Sequence, residues 1–334
     1  MNNARTCIED TLVPHSAYND ALRMLEQTFD YSGTPEPTCV AIVGETRTGK
    51  SRLLEEFRDN HQSTRNLDGK ETPVLSVRVP AKPTVKGLVE LLLHELGDPL
   101  SGKGTVTNKT VRLMMLIAKS KTKVVMLDEF QHFQDKASEK ICHEVADWLK
   151  ILVDDTKVAL VVAGLPICRA VINQNEQLAS RFNSAVRMPR FDWAIQLQRE
   201  EFIAILYCFY ESMRQHFDVF DFSEPETAFR IYCGTGGLIG YISKLLRAVV
   251  RDAVSSGRTV ITYQDFATAY SNSTWETGNG LASSTIFNLS VNLTPIAPIL
   301  SGAAQVGTPV APVPRKRGRR QPRVALNIGQ VLST

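Results

Sequence analysis

At 334 residues, with 43% hydrophobic content, the chain is long enough for one large domain or two smaller ones with a real core. Its cysteines (Cys7, Cys39, Cys142, Cys168, Cys208 and Cys233) are scattered without a C-x-x-C pair, which argues against a zinc site or disulfide framework and fits a reducing cytoplasm. The net charge of +3 is uneven: from Ser273 onward one acid, Glu276, faces Arg315, Lys316, Arg317, Arg319, Arg320 and Arg323, so residues 1–272 are slightly acidic and any nucleic-acid contact there must come from a local patch. The amino terminus lacks the apolar stretch of a signal peptide, and no apolar run reaches membrane-spanning length.

In chain order, residues 1–37 read as a leader with an amphipathic helix from Ser16 to Phe29, closed by the breaker Gly33–Pro37. Residues 38–191 read as an α/β domain. Thr38–Val43 is a short β-branched strand, and Arg52–Phe57 has helical spacing. His61–Thr72 is polar and predicts an exposed loop. Val74–Val79 is a strand, Val85–Leu96 a helix, Gly97–Asn108 a loop and Lys109–Lys119 a helix. Val124–Glu129 is a strand, Lys136–Val153 a helix, Val158–Ala163 a strand, and Val186–Phe191 the last core strand. This alternation implies a parallel sheet covered by helices on both faces, with ligands at the carboxyl ends of the strands. Residues 192–272 turn all-helical and read as a small lid. Residues 273–334, rich in Ser, Thr, Gly and Pro, read as a disordered tail with a basic run at Arg315–Arg320 and a short apolar segment, Val324–Gly329, suited to docking on a partner.

Two motifs carry chemistry. Gly44-Glu45-Thr46-Arg47-Thr48-Gly49-Lys50-Ser51 has the G-x-x-x-x-G-K-[ST] spacing of a phosphate-binding loop and lies between a strand and a helix, the context that turns backbone N–H groups toward phosphates. Lys50 is placed to reach the β- and γ-phosphates of ATP, and the Ser51 hydroxyl to ligate Mg²⁺. Val124–Leu127 then runs into Asp128-Glu129, the pattern of a strand whose Asp holds the metal and whose Glu activates water. Together they point to hydrolysis rather than to binding alone.

GETRTGKS at 44–51, VRVPAKPTVKGL at 77–88, GKGTV at 102–106, MLDEFQHF at 126–133, EQLASRF at 176–182 and GGLIGYISKLLR at 236–247 together resemble the TniB/TnsC family, AAA+ ATPases that regulate DNA transposition. The resemblance covers roughly residues 35–270. It implies an AAA+ P-loop fold, ATP and Mg²⁺ as ligands, and self-assembly on double-stranded DNA as a ring, a heptamer among the candidates, or as a filament. It also implies a link between a TniQ-type target selector and the transposase, and the long tail suggests the members found in RNA-guided, CRISPR-associated transposons. Such a protein is bacterial, cytoplasmic and DNA-associated.

By position, the resemblance assigns catalysis to Lys50, Glu129 and Arg181, the last as an arginine finger supplied to a neighbouring subunit. It assigns backbone contacts to DNA to Lys82, Lys86, Lys103 and Thr105. From Lys82 to Lys123 eight bases stand against three acids, in partial agreement. Two positions depart from the family pattern. Leu165 stands where a polar γ-phosphate sensor is expected, and Tyr241 where the lid usually carries an arginine, with Lys244 or Arg247 as substitutes. Both departures imply slow turnover and argue against a motor or clamp loader. The alternative reading is a STAND-like or AAA+ signalling or defence switch that acts on protein partners without touching DNA.

Overall fold

The computed structural model describes residues 2–308, apart from 68, 137–138, 184 and 274–282. Its centre is a five-stranded sheet of β1 (Val40–Val43), β2 (Val74–Arg78), β3 (Val124–Asp128), β4 (Ala159–Gly164) and β5 (Val186–Arg187), in spatial order β2-β3-β4-β1-β5. Every pairing is parallel, as the alternation of strands and helices predicts. The register sets Val43 opposite Gly164 and Arg78 opposite Asp128, so the carboxyl ends that carry the two motifs lie level.

Side chains alternate across the sheet and build two cores. On one face Ala41, Leu75, Leu127 and Val162 pack with Leu88 and Leu92 of the helix Val85–Glu95, Leu113 and Ile117 of Val106–Lys119, and Leu149 and Leu152 of Glu139–Thr156. On the other, Val40, Ile42, Met126 and Val161 pack with Leu53 and Phe57 of the helix Lys50–Asn60 and with Tyr18, Ala21 and Leu25 of the helix Ser16–Asp30. The leader helix therefore completes the sheet's second face.

Local differences from the sequence reading have local causes. The helix after Gly97 starts at Val106, not Lys109, because Thr105 caps it by accepting from Asn108 N at 3.2 Å. The expected loop at 61–72 contains an antiparallel hairpin, Thr64–Asn66 with Gly69–Glu71; its short polar strands carry no hydrophobic alternation to betray it. β5 stops at Arg187 rather than continuing to Phe191, because the chain turns toward the lid, where Phe191 N donates to Gly237 O.

The lid comprises the helices Gln196–Met213, Pro225–Thr235, Ile239–Ser255 and Tyr263–Ser273 around a core that includes Phe202, Phe222, Phe229 and Phe266. Residues 283–308 correct the expectation of a tail disordered from Ser273 onward. Ile286, Phe287, Leu293 and Ala303 are buried in the lid core. Arg230, 1% exposed, donates to the carbonyls of Ile286, Asn288 and Val291, so a buried guanidinium replaces the ladder that this irregular backbone lacks. That mode of satisfaction leaves no periodic signal. Pro309, Pro312, Pro314, the basic run and the Val324–Gly329 segment lie outside the described residues. Arg230→Met is expected to lower stability by about 2–3 kcal/mol, through carbonyls left unpaired, and to open residues 283–308 to protease; denaturant midpoints and limited proteolysis check it.

Candidate active site

The phosphate loop leaves β1 at Gly44 and enters its helix at Lys50 through Gly49, which has a left-handed φ of 96°. Lys50 Nζ donates back to Gly44 O at 2.9 Å and Glu45 O at 2.6 Å. Burial holds its ammonium below the ordinary lysine range, against the pull of Asp128 and Glu129. Across the strand ends, Ser51 Oγ donates to Asp128 Oδ2 at 2.7 Å, so residues 77 apart in sequence meet at one point. A hydroxyl and a carboxylate at this distance are the hard oxygen donors that Mg²⁺ takes, and Ser51 and Asp128 fit the ion in the roles the sequence gives them. When bound, the ion would neutralise phosphate charge.

Glu129 sits just beyond β3 with a φ of 58°, a left-handed conformation that a non-glycine residue adopts at a cost. Its own N–H donates to Asp128 Oδ1 at 2.8 Å, which offsets that cost and aims the side chain at the loop's cavity. Oε1 accepts from Arg78 Nη2 at 3.0 Å and Oε2 from Gln131 Nε2. Burial pushes the carboxyl up, but these hydrogen bonds outweigh it and leave Glu129 below the usual carboxylate range, ionised and able to accept a proton. Arg78 and Gln131 lie inside the segments VRVPAKPTVKGL and MLDEFQHF, yet the sequence assigns neither a role at the site; the strand register is what brings Arg78 level with Asp128.

A cavity of about 550 Å³ runs over the loop, lined by Thr46, Lys50, Ser51, Arg78, Glu129, Gln131 and Arg247 among others. A second, of about 370 Å³, continues between the leader and the lid, where Ile8, His15 and Tyr18 face Gly49 and Ile239. The leader thus walls the site, a role its sequence does not signal. The lid docks on the loop at Gly240, whose N–H donates to Arg47 O at 2.9 Å; a Cβ there would lie 2.9 Å from Arg47 Cβ, so only glycine allows the approach. The neighbouring Tyr241, the departure from the family pattern, stacks its ring 5.7 Å from the Arg47 guanidinium carbon. Of the two proposed substitutes for the lid arginine, Arg247 lines both cavities and Lys244 lines neither.

Arg190 ties the loop to the far end of the described chain. Its Nε donates to Glu45 Oε1 at 2.9 Å and its Nη2 to Glu45 Oε2, which holds that carboxyl below the usual range. Its Nη1 donates to Gly236 O at 3.2 Å, Ala304 O at 2.9 Å and Val306 O at 3.1 Å.

Lys82, Lys86, Lys103 and Thr105 are exposed at the amino ends of two helices that pack together, Val85–Glu95 and Val106–Lys119. The eight-base count does not describe one face. Lys109 is fully buried, with Nζ on the Glu90 carboxylate and on Gly102 O, and Arg112 is held by Asp98 and Leu100 O, because both brace the loop 97–105 from within. Lys121 and Lys123 stand at the amino end of the sheet, against Glu71 and the Phe29 ring. Arg181 lies at the foot of β1, where its carbonyl accepts from Cys39 N and its guanidinium pairs with Asp154, away from its own subunit's phosphate loop.

Residues 4–193 match the family model described as Bacterial TniB protein. No curated protein matches the chain. Among solved structures, the ADP form of the Aeropyrum pernix ORC2 protein aligns with a TM-score of 0.61 at 16% identity, over 83% of this chain and 74% of that one. CDC6P from Pyrobaculum aerophilum aligns at 0.58 with 14% identity, over 80% and 70%. The Aeropyrum pernix ORC1 protein in complex with DNA aligns at 0.52 with 13% identity, over 80% and 69%. At these identities the likeness is one of fold, the AAA+ P-loop ATPase fold. Among the described residues no helix is long and apolar enough to cross a membrane.

Proposed function

Because the chain belongs to the bacterial TniB family, we propose that this AAA+ ATPase binds Mg²⁺-ATP, assembles on double-stranded DNA, and as that assembly links a TniQ-type target selector to transposase subunits. The observation that carries the reading is a cluster at the carboxyl ends of β1 and β3, Lys50, Ser51, Asp128 and Glu129, joined through Arg78 to the segment that bears Lys82 and Lys86. Glu129 accepts the proton of the attacking water, Lys50 steadies the phosphates, and Arg181, on leaving Asp154, reaches the γ-phosphate of the next subunit, which makes turnover depend on assembly. Leu165 and Tyr241 keep that turnover slow. The four exposed Lys and Thr residues contact phosphate without reading sequence, so each subunit adds little and the oligomer supplies the affinity. The chain beyond residue 308 recruits the transposase.

The test is electron microscopy of the protein on duplex DNA with and without ATP, paired with titrations in salt. Rings or filaments should need both ATP and DNA. Lys82→Ala with Lys86→Ala should weaken DNA binding and flatten the salt dependence by about 0.9 in log–log slope for each phosphate no longer neutralised. Assembly that proceeds equally without DNA would instead favour a switch acting on protein partners.

A further inference from the structure

We propose that Gln131 is the positioning residue for the Glu129 carboxylate, and that it works by clamping that carboxylate to the end of β4. The inference rests on reading Glu129 as the base in ATP hydrolysis.

Gln131 is 6% exposed, yet both ends of its amide are engaged. Nε2 donates to Glu129 Oε2, and Oε1 accepts from Leu165 N at 3.1 Å. The orientation of the amide is forced by chemistry. The Leu165 N–H can only donate, so the amide oxygen must face it, and the NH₂ group must then face the carboxylate. Space for this arrangement comes from Gly164: a Cβ there would stand 2.3 Å from Gln131 Oε1. The Leu165 side chain offers no polar atom. What the end of β4 contributes is its backbone N–H, and Gln131 is the piece that connects it to the base.

Arg78 also holds Glu129, but differently. Its side chain is 72% exposed, so the pair is open to water and salt. A hydrogen bond from a buried neutral amide to a carboxylate is charge-assisted, is shielded from salt, and brings no cation to compete for the proton the base must take. In the step itself, the water oxygen bonds to the γ-phosphorus while one of its protons passes to Glu129, and the bond from the γ-phosphorus to the bridging oxygen breaks with its electron pair staying on ADP. Gln131 is chemically unchanged throughout; it fixes where the accepting carboxylate stands.

The test measures steady-state ATP hydrolysis of the full chain with DNA and Mg²⁺-ATP for wild type, Glu129→Gln, Gln131→Met and Gly164→Ala. Methionine keeps the volume and reach of the side chain and removes both hydrogen bonds. Gly164→Ala leaves Gln131 in the sequence and dislodges its amide, so it stands in should Gln131→Met fail to fold. Both are expected to lower kcat by about ten- to a hundredfold with KM for ATP within about threefold, the split that a misplaced base produces. Wild-type kcat in both variants would overturn the proposal, as would a parallel loss of kcat and nucleotide affinity, which marks a merely structural role. Equal rates for wild type and Glu129→Gln would overturn the underlying reading of the base itself, a result separate from either.

Discussion

Glu129→Gln is expected to cut ATP turnover by about 10²–10⁴-fold while ATP binding and ATP-dependent assembly on DNA persist. The substitution removes the proton acceptor and little else. Lys50, Ser51 and Asp128, the residues proposed to meet the phosphates and the metal, do not hydrogen-bond the Glu129 side chain. The introduced amide has one oxygen, however, where the carboxylate accepts from both Arg78 and Gln131. Gln131 is locked by Leu165, whereas Arg78 is largely exposed and can turn into solvent, so the amide oxygen should face Gln131 and Arg78 should let go. Phosphate release and electron microscopy on one sample check both halves. Turnover near wild type would exclude Glu129 as the base, and loss of assembly would show that its charge also builds the interface.

Lys109→Met should destabilise the fold by about 3 kcal/mol and weaken DNA binding although residue 109 never reaches solvent. Lys109 joins two elements. Glu90 lies one turn beyond Lys86 on the helix Val85–Glu95, and Gly102 precedes Lys103 and Thr105. One buried ammonium therefore sets the spacing between the two groups of proposed phosphate contacts, Lys82 and Lys86 on one side and Lys103 and Thr105 on the other. Adding Glu90→Met should restore part of the stability, since it removes the half-exposed carboxylate left without its cation, but not the DNA affinity, because Gly102 O stays unheld and the loop loses its register. Thermal or denaturant unfolding, with DNA titrations on the same variants, separates the two effects. Equal recovery of both would show that the pair matters only for folding.

The strands and the two motifs were legible because they rest on local patterns: apolar runs between breakers, and the fixed spacing from Gly44 to Ser51. What stayed hidden depends on pairing between distant segments. Arg78 looks like any strand-end arginine until the register sets it beside Asp128. Gln131 stands within MLDEFQHF with no role assigned to it and acquires one from Leu165 N and Gly164. Lys109 and Arg112 count as surface bases in a tally, and only the folded loop shows them turned inward. Residues 283–308 look formless because they hold only two short helices, Ser283–Ile286 and Ala297–Ala304, and arginine side chains satisfy part of the backbone around them.

Arg190 gives that last segment a mechanical connection. A guanidinium is flat and rigid, so its two edges cannot turn separately. One edge grips Glu45 in the phosphate loop, and the other holds Ala304 and Val306 together with the lid turn at Gly236. Rotating the plate to follow residues 304–306 swings its opposite edge off Glu45, and a shift of Glu45 drags the plate away from those carbonyls. The phosphate loop at Glu45 and the backbone at Val306, about 260 residues apart in sequence, are geared through one planar ion.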